Sequence, residues 1–353
     1  MWWLWLACSV PESTLVEESA QVRPPAPPVA EDEPPRPVVL VTLDTVRADR
    51  IGAWGHAEAE TPNLDALAAR GIRFSQAYAP VPLTIPSHSS LFTGLYPPHH
   101  GVRDNGDQRL STEAWTLAES LNQAGYRTGA SIGAFVTQAH WGFGQGFSDY
   151  RDDLGVPSDR LSWRAERPAD EVIDDALELL EQGVDFLWVH LFDAHAPYSP
   201  PSPFSERHQD RPYDGEIAWL DHQLGRLVAS LPQDVLLVVA GDHGEALGDE
   251  GEQQHGLLLS DATLHVPLVL VGSRLDAPQV VDEPVSLVDI APTLWAELDM
   301  PVPSGLDGRD LLGPWRSDPV TDERRIYTET LYGAHHYGWT SLHGVLTDRG
   351  QLI

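Results

Sequence analysis

Three places in the chain set metal-type ligands directly after an apolar run. Asp44 follows VVLVTL, Asp193 and His195 follow FLWVHL, and Asp242 with His243 follows VLLVVAG. Carboxylate oxygens and imidazole nitrogens converging at one sheet edge can hold a divalent cation. Taken singly, an Asp after a strand is also an ordinary turn or N-cap residue. The agreement of three strand ends is what gives the pattern weight. A fourth segment, TIPSHSSLFTG from Thr84, places a hydroxyl just before Pro86, at the first turn of a helix expected to contain Ser87 to Thr93. A hydroxyl at a helix N-terminus sits in positive potential that favours an alkoxide and a bound anionic ester, although it can equally serve only as the cap.

These residues need a scaffold that brings strand ends together. From Val38 the chain alternates β-like and α-like segments, which predicts an α/β fold with a largely parallel sheet. Continuous apolar runs at Val38 to Leu43, Phe186 to Leu191, Val235 to Ala240 and Val266 to Val271 read as buried strands. Thr61 followed by Pro62 reads as a helix start and Gly71 as its stop. Further helices are expected over Glu113 to Ala124, Pro168 to Gln182, Tyr213 to Ser230 and Leu287 to Leu298. In such sheets ligands sit beyond the carboxyl ends of the strands, where the candidate residues fall.

The chain has 353 residues and a net charge of −31. All 22 basic residues are Arg, so no lysine can serve as catalyst or anion clamp. Such a charge excludes a basic nucleic-acid-binding face. The lone cysteine, Cys8, excludes an internal disulfide and a cysteine nucleophile in the folded body. Cys8 ends the apolar run MWWLWLA, which reads either as the end of a lipoprotein signal cut before Cys8 or as an incidental apolar start. Residues 11 to 37 are acidic, Pro-rich and without hydrophobic period, as in a flexible tether. The first reading predicts a lipid-anchored protein of a bacterial cell envelope. At the other end, residues 339 to 353 read as two short strands around a turn at Asp348 to Gly350, a hairpin that wants a covering element. The expected organisation is a leader and tether over 1–37, a catalytic domain over 38–300, and over 301–353 a C-terminal part of the same fold that reads as incomplete.

The blocks LVTLDTVRADRIGAWG, TPNLDALAARGIRFSQAYA, TIPSHSSLFTGLYPPHHGV and AGDHGEALGDEGEQQHG, then HVPLVL, occur in that order. Together they resemble the sulfatase family within the alkaline phosphatase superfamily. The resemblance implies an alkaline-phosphatase-like α/β sandwich around a mixed sheet, one or two divalent metals, and hydrolysis of sulfate or phosphate esters through a covalent intermediate. It implies that Asp44, Asp242 and His243 are metal ligands. Thr84 stands where sulfatases carry the Cys or Ser that becomes formylglycine, and would contact the metal as well as act. His88 stands where they usually carry Arg, His195 resembles a histidine near the leaving group, and His255 resembles a cationic position close to the ester oxygens.

The departures shape the expected mechanism. Formylglycine is not made from Thr, so the nucleophile expected is the Thr84 hydroxyl, with its proton labilised by a metal, as in superfamily branches that carry Thr here. A Thr ester must be cleaved at sulfur or phosphorus, which favours phosphate or phosphonate esters, whereas overall similarity favours sulfate esters. Few hard oxygen ligands and one imidazole lean from Ca²⁺ toward Zn²⁺ or Mn²⁺. His190, Asp193 and His195 could build a second metal site; otherwise His195 is a general acid. His99 and His100 are expected to shape a loop. Arg47 and Arg103 are the nearest cationic candidates for an anionic ester, with Arg47 expected to pair with an acid of the body instead. The sequence thus predicts a metal-dependent hydrolase of a small-molecule or glycan sulfate, phosphate or phosphonate ester. The alternatives are a phosphoryl transferase and a non-catalytic binding protein of the same fold; oligomeric state stays open.

Overall fold

A computed structural model describes residues 35–155, 165–275, 277–313 and 324–353. Cys8 and nearly all of the expected tether lie outside the described residues. No helix among the described residues is long and apolar enough to cross a membrane.

The chain enters through β1 (Val38–Leu43), whose alternate residues go to different cores. Val38 and Leu40 join one buried cluster, and Val39, Val41 and Leu43 join the other. Burial on both faces is why this strand reads as an unbroken apolar run. Next come α1 (Pro62–Arg70), β2 (Ile72–Tyr78), α2 (Thr84–Thr93), the single turn α3 (Pro97–His100), α4 (Leu117–Gln123), β3 (Thr128–Ile132), β4 (Asp149–Arg151), α5 (Ala169–Glu181) and β5 (Phe186–Leu191). They are followed by α6 (Phe204–Arg207), α7 (Pro212–Ser230), β6 (Leu236–Gly241), α8 (Asp261–Leu264), β7 (His265–Val271), β8 (Gln279–Val281), β9 (Val285–Ser286) and α9 (Ile290–Glu297). The nine-stranded sheet has the order β4-β3-β5-β1-β6-β7-β2-β8, with β9 also on β2. All neighbours are parallel except β7, which runs antiparallel to both β6 and β2. The result is an α/β sandwich around a mixed, mostly parallel sheet.

Several boundaries differ from expectation for identifiable reasons. The helix expected from Glu113 begins at Leu117, because Thr116 and Glu119 form a reciprocal capping box that fixes the start. Thr61 is at the N-cap of α1, yet its hydroxyl accepts from Gly52 N–H, and Asp221 of α7 instead takes the N–H groups of Asn63 and Leu64. The segment expected as one helix from Leu287 opens with a 3₁₀ turn over Leu287–Asp289, capped by Ser286, before α9.

The C-terminal hairpin is β11 (Leu342–Thr347) with β12 (Gly350–Leu352), and the strand that completes it is β10 (Ile326–Thr330). This small antiparallel sheet is stitched to the main body. Glu329 N–H bonds Pro80 O at 2.9 Å, the Thr330 hydroxyl bonds Gly256 O, and Glu329 forms a bidentate ion pair with Arg103.

Candidate active site

Strands β5, β1 and β6 lie side by side at the sheet centre, so the residues after them leave the sheet together. Asp44 N–H still bonds Leu191 O at 2.9 Å, and Asp242 N–H bonds Leu43 O at 3.2 Å. Thr45 then turns the chain with φ of 56°. A β-branched residue in the left-handed region is strained by about 1–3 kcal/mol and persists only where its surroundings over-determine it. Here Thr45 N–H bonds Asp242 Oδ1 at 3.2 Å, its hydroxyl bonds Asp44 O at 2.7 Å, and the Tyr213 hydroxyl bonds Thr45 O at 2.6 Å. One ligand atom each from Asp44, Asp242 and His243 lie within 4.8 Å of one another, and all three residues are fully buried.

The unsatisfied atoms indicate what this cluster holds. Asp44 Oδ1 and Asp242 Oδ2 are buried without a hydrogen-bond partner among the described residues. Burial pushes the Asp44 carboxyl above its ordinary range, and burial together with Asp44 does the same to Asp242. Burial disfavours the charged form of His243, yet Asp242 and Asp44 beside it raise its affinity for a proton. His243 Nδ1 lies 3.0 Å from Gly244 O, an atom that can only accept, so the proton is on Nδ1 and Nε2 offers a lone pair. Two buried carboxylates and a bare imidazole nitrogen are a donor set that one divalent cation satisfies. The residues present therefore fit the metal that the sequence leads one to expect.

The Thr42 hydroxyl, buried within β1, supports the same conclusion. His88 Nδ1 lies 2.9 Å from Thr84 O, so it carries the proton, and burial pushes His88 down to about 3, so the ring is neutral. Its Nε2, 3.1 Å from Thr42 Oγ1, then accepts the single Thr42 proton. Thr42 Oγ1 in turn accepts from Trp188 Nε1–H at 3.0 Å and from His190 Nδ1–H at 2.9 Å. That leaves His190 Nε2 bare and facing Asp44 Oδ2 at 3.4 Å. Two acceptors facing each other with no proton between them is an arrangement that a nearby cation relieves.

Thr84 is residue N1 of α2, with Leu83 as the N-cap, so the hydroxyl is not the helix cap. Its Oγ1 lies 3.4 Å from Asp44 Oδ2 and 3.2 Å from His243 Nε2, on the ligand cluster itself. The Asn105 side chain takes the Ile85 N–H at 2.9 Å, and the Ser87 hydroxyl donates to Asp242 O at 2.6 Å, which ties α2 to the end of β6. Pro86 has no N–H, so the free donors expected at this helix start are fewer than the sequence reading assumed, and the helix dipole is what remains.

The other expected site residues divide. His195 and His255 join the cluster: ring centroids are 4.5 Å apart for His243 and His255, and 5.3 Å for His255 and His195. His195 Nδ1 is held by Ala196 O at 2.8 Å. Burial lowers the pKa of His195, and burial with His243 holds His255 well below the imidazole range. Burial thus works against the cationic form expected of His255. His88, expected as a catalytic residue, has both nitrogens engaged, Nδ1 by Thr84 O and Nε2 by the Thr42 hydroxyl, so it holds the backbone of Thr84. The second metal site proposed from His190, Asp193 and His195 is not assembled, because Asp193 Oδ1 is turned to Ala169 N–H and Trp219 Nε1–H.

Arg47 forks onto Asp49 at 2.8 Å and reaches Asp249 at 2.9 Å, while Arg103 is bound to Glu329, so both guanidinium groups are already paired. His99 pairs with Asp307 and His100 with Ser90. Sequence reasoning missed Glu245, whose fully buried carboxylate takes His255 Nδ1 at 3.1 Å and the Tyr198 hydroxyl at 2.9 Å. Its place in DHGE, two residues after a ligand, was the available signal. Nothing in VVLVTL marked Thr42.

The Sulfatase family profile matches residues 36–300. The arylsulfatase of Clostridium perfringens is 22% identical over 413 residues, covering 90% of this chain and 85% of that one. The solved phosphonate monoester hydrolase of Agrobacterium radiobacter superposes with a TM-score of 0.73 at 23% identity, covering 90% of this chain and 86% of that one. A structure solved in complex with its substrate D-glucosamine-2-N,6-O-disulfate superposes with a TM-score of 0.73 at 17% identity, covering 89% and 87%. The strand-end cluster, the hydroxyl at the start of α2 and a match over most of the chain lead to one conclusion: this protein belongs to the sulfatase family of ester hydrolases.

Proposed function

We propose that the chain hydrolyses sulfate, phosphate or phosphonate esters of a small molecule or glycan, with Thr84 Oγ1 as the nucleophile. Asp44, Asp242 and His243 would hold one divalent cation, Zn²⁺ or Mn²⁺ ahead of Ca²⁺ on the donor set. When bound, the cation supplies Lewis acidity that lowers the pKa of a hydroxyl and draws charge from an ester oxygen. The observation that carries the reading is the position of Thr84 Oγ1, within 3.4 Å of Asp44 Oδ2 and 3.2 Å of His243 Nε2.

The chain's own groups then have distinct tasks. His88 and Thr42 hold the backbone of Thr84, and the Asp242 carbonyl anchors Ser87, so the hydroxyl meets the ester from a fixed direction. The Thr84 oxygen attacks sulfur or phosphorus in line as its hydroxyl proton passes to solvent, and the O–S or O–P bond to the alcohol breaks on the opposite side, its oxygen taking a proton from His195 Nε2, which the entering water later restores. His195, with its Nδ1 proton fixed on Ala196 O, presents Nε2 as the atom that exchanges a proton with the departing alcohol and later with the entering water. Glu245 holds His255 in one tautomer beside them. Water finally displaces the group from Thr84 and returns the free hydroxyl.

The relatives' known activities favour sulfate and phosphonate esters together. The Thr nucleophile favours phosphorus, because its ester can be cleared only by attack at the transferred atom. The test is hydrolysis of p-nitrophenyl sulfate, p-nitrophenyl phosphate, bis-p-nitrophenyl phosphate and a phenylphosphonate ester by metal-stripped protein resupplied with Zn²⁺, Mn²⁺, Ca²⁺ or Mg²⁺. Turnover restored by one metal with a preference among esters supports the reading. Absence of turnover from folded, metal-loaded protein overturns it.

A further inference from the structure

Next to the ligand cluster is a cavity of about 500 Å³ whose shared wall is His195. The histidine rings lead from one to the other: His243 to His255 at 4.5 Å, then His255 to His195 at 5.3 Å. Phe192 and Trp219 line the cavity, and Glu166, Asp193 and Glu216 bring carboxylates to it. Glu216 is only 4% exposed, and its Oε1 accepts the Ser199 N–H at 2.6 Å. Among the described residues its Oε2 has no hydrogen-bond partner. Asp193 Oδ1 takes Ala169 N–H and Trp219 Nε1–H, whereas Oδ2 is shielded from solvent without a partner.

No cation answers these groups among the described residues. Arg167 lines the same cavity, but its guanidinium reaches Asp175 at 2.5 Å and Glu171 O at 3.1 Å. Burial, reinforced by repulsion from Asp193 and Glu166, pushes Glu216 up to about 8, and burial pushes Asp193 up to about 6. A buried carboxylate with one oxygen unpaired and no counter-charge is costly, and a ligand that supplies positive charge removes that cost. Aromatic rings beside carboxylates suit the same ligand, since an ammonium group is attracted to both. An anionic sugar would add to the repulsion.

We propose that this cavity is the leaving-group subsite for an alcohol bearing an ammonium group, held by Glu216 and Asp193 beside the rings of Trp219 and Phe192. The subsite rests on the ester-hydrolysis reading for its role, while its affinity for a cation stands by itself. Transfer of the sulfuryl or phosphoryl group takes place at the ligand cluster, and His195 stands between that cluster and the ammonium end of the alcohol.

The experiment compares three aryl sulfates, and the matching phosphonates, on the full chain supplied with metal: 4-(trimethylammoniomethyl)phenyl, its neutral carbon isostere 4-neopentylphenyl, and the anionic 4-(carboxymethyl)phenyl. The expected order of kcat/KM is ammonium above neutral above carboxylate, with the first step about tenfold or more. Glu216→Gln and, separately, Asp193→Asn should shrink the ammonium-to-neutral ratio severalfold. The wild-type ratio, taken relative to the same ratio for alkaline hydrolysis of these esters in water so that leaving-group acidity cancels, needs no variant, so a variant that fails to fold leaves the test intact. Equal kcat/KM for the ammonium and neutral esters overturns the subsite while hydrolysis stands. If no ester is turned over, the ester-hydrolysis reading fails, and titration with (4-hydroxybenzyl)trimethylammonium decides the cavity. Binding weakened by Glu216→Gln keeps it as a cation site, and no binding overturns it.

Discussion

Thr84→Ala separates the proposed nucleophile from the proposed metal ligands. The hydroxyl lies on the cluster, 3.4 Å from Asp44 Oδ2 and 3.2 Å from His243 Nε2, yet when it is removed Asp242 and His243 keep their side-chain bonds and Asp44 keeps its backbone bond to Leu191 O. Metal content should therefore stay near that of the wild type. The backbone carbonyl that holds His88 is also retained, so α2 should keep its start. Loss of a buried hydroxyl and methyl at a site only 2% exposed should cost about 1–2 kcal/mol of stability. Turnover should fall by about 10³-fold or more, equivalent to about 4 kcal/mol of transition-state stabilisation, because the double displacement has no other nucleophile. Thr84→Ser keeps the hydroxyl and loses only the methyl and the rotamer restriction, so it should retain measurable turnover. The assay pairs ester hydrolysis and metal analysis with mass spectrometry of the Thr84 peptide after rapid acid quench. The wild-type peptide should carry the transferred group and the Ala variant should not. Wild-type turnover by Thr84→Ala, or a wild-type peptide never modified during turnover, would show that the covalent route is wrong.

Three other perturbations reach different parts of the structure. Thr42→Val keeps the shape of β1 but leaves His88 Nε2, His190 Nδ1 and Trp188 Nε1 without their shared partner. Each orphaned group costs about 1–3 kcal/mol, so urea denaturation should show a loss of several kcal/mol. Gly244→Ala would place a Cβ 2.0 Å from Ala262 O, a backbone atom with no rotamer to change. The displaced His243 should bind metal at least about tenfold more weakly, as read by competition with a chelator. Glu216 has a folded-state pKa raised to about 8 from an ordinary 4.5, so it binds more protons folded than unfolded. Its contribution to stability should fall as pH rises from about 4.5 to about 8, and wild-type minus Glu216→Gln stability from urea curves should decline across that window.

The positions of the candidate ligands Asp44, Asp242 and His243 were legible because β1, β5 and β6 are buried on both faces. A continuous apolar run that stops at a carboxylate is hard to place anywhere but at a sheet edge. Thr84 was visible for a different reason, a hydroxyl just ahead of Pro86 within a longer family pattern. What spacing could not supply was side-chain direction. Asp193 follows its strand as Asp44 does, yet it caps the start of α5 instead of turning to the ligands. Thr42 looks like any β-branched strand residue, because its role depends on three rings brought from β5 and α2. The positive φ of Thr45 is likewise set by tertiary bonds and not by local preference. Strand β10, the short polar sequence IYTET, lacks the apolar run that marked the central strands.

The stitching of β10 to the body also has a consequence for the order in which the site is made. The loop before Thr84 receives a backbone bond at Pro80 O from Glu329 N–H, and the turn after His255 receives a side-chain bond at Gly256 O from the Thr330 hydroxyl, 74 residues further along. Both loops are synthesised long before their partners. During translation the strand-end ligands can gather as soon as β7 closes the centre of the sheet, but the two loops around them stay unpinned until β10 emerges. Catalytic competence should therefore arrive as a late step, well after the main sheet is formed, and an elongating chain would hold an assembled but loosely framed site in the interval.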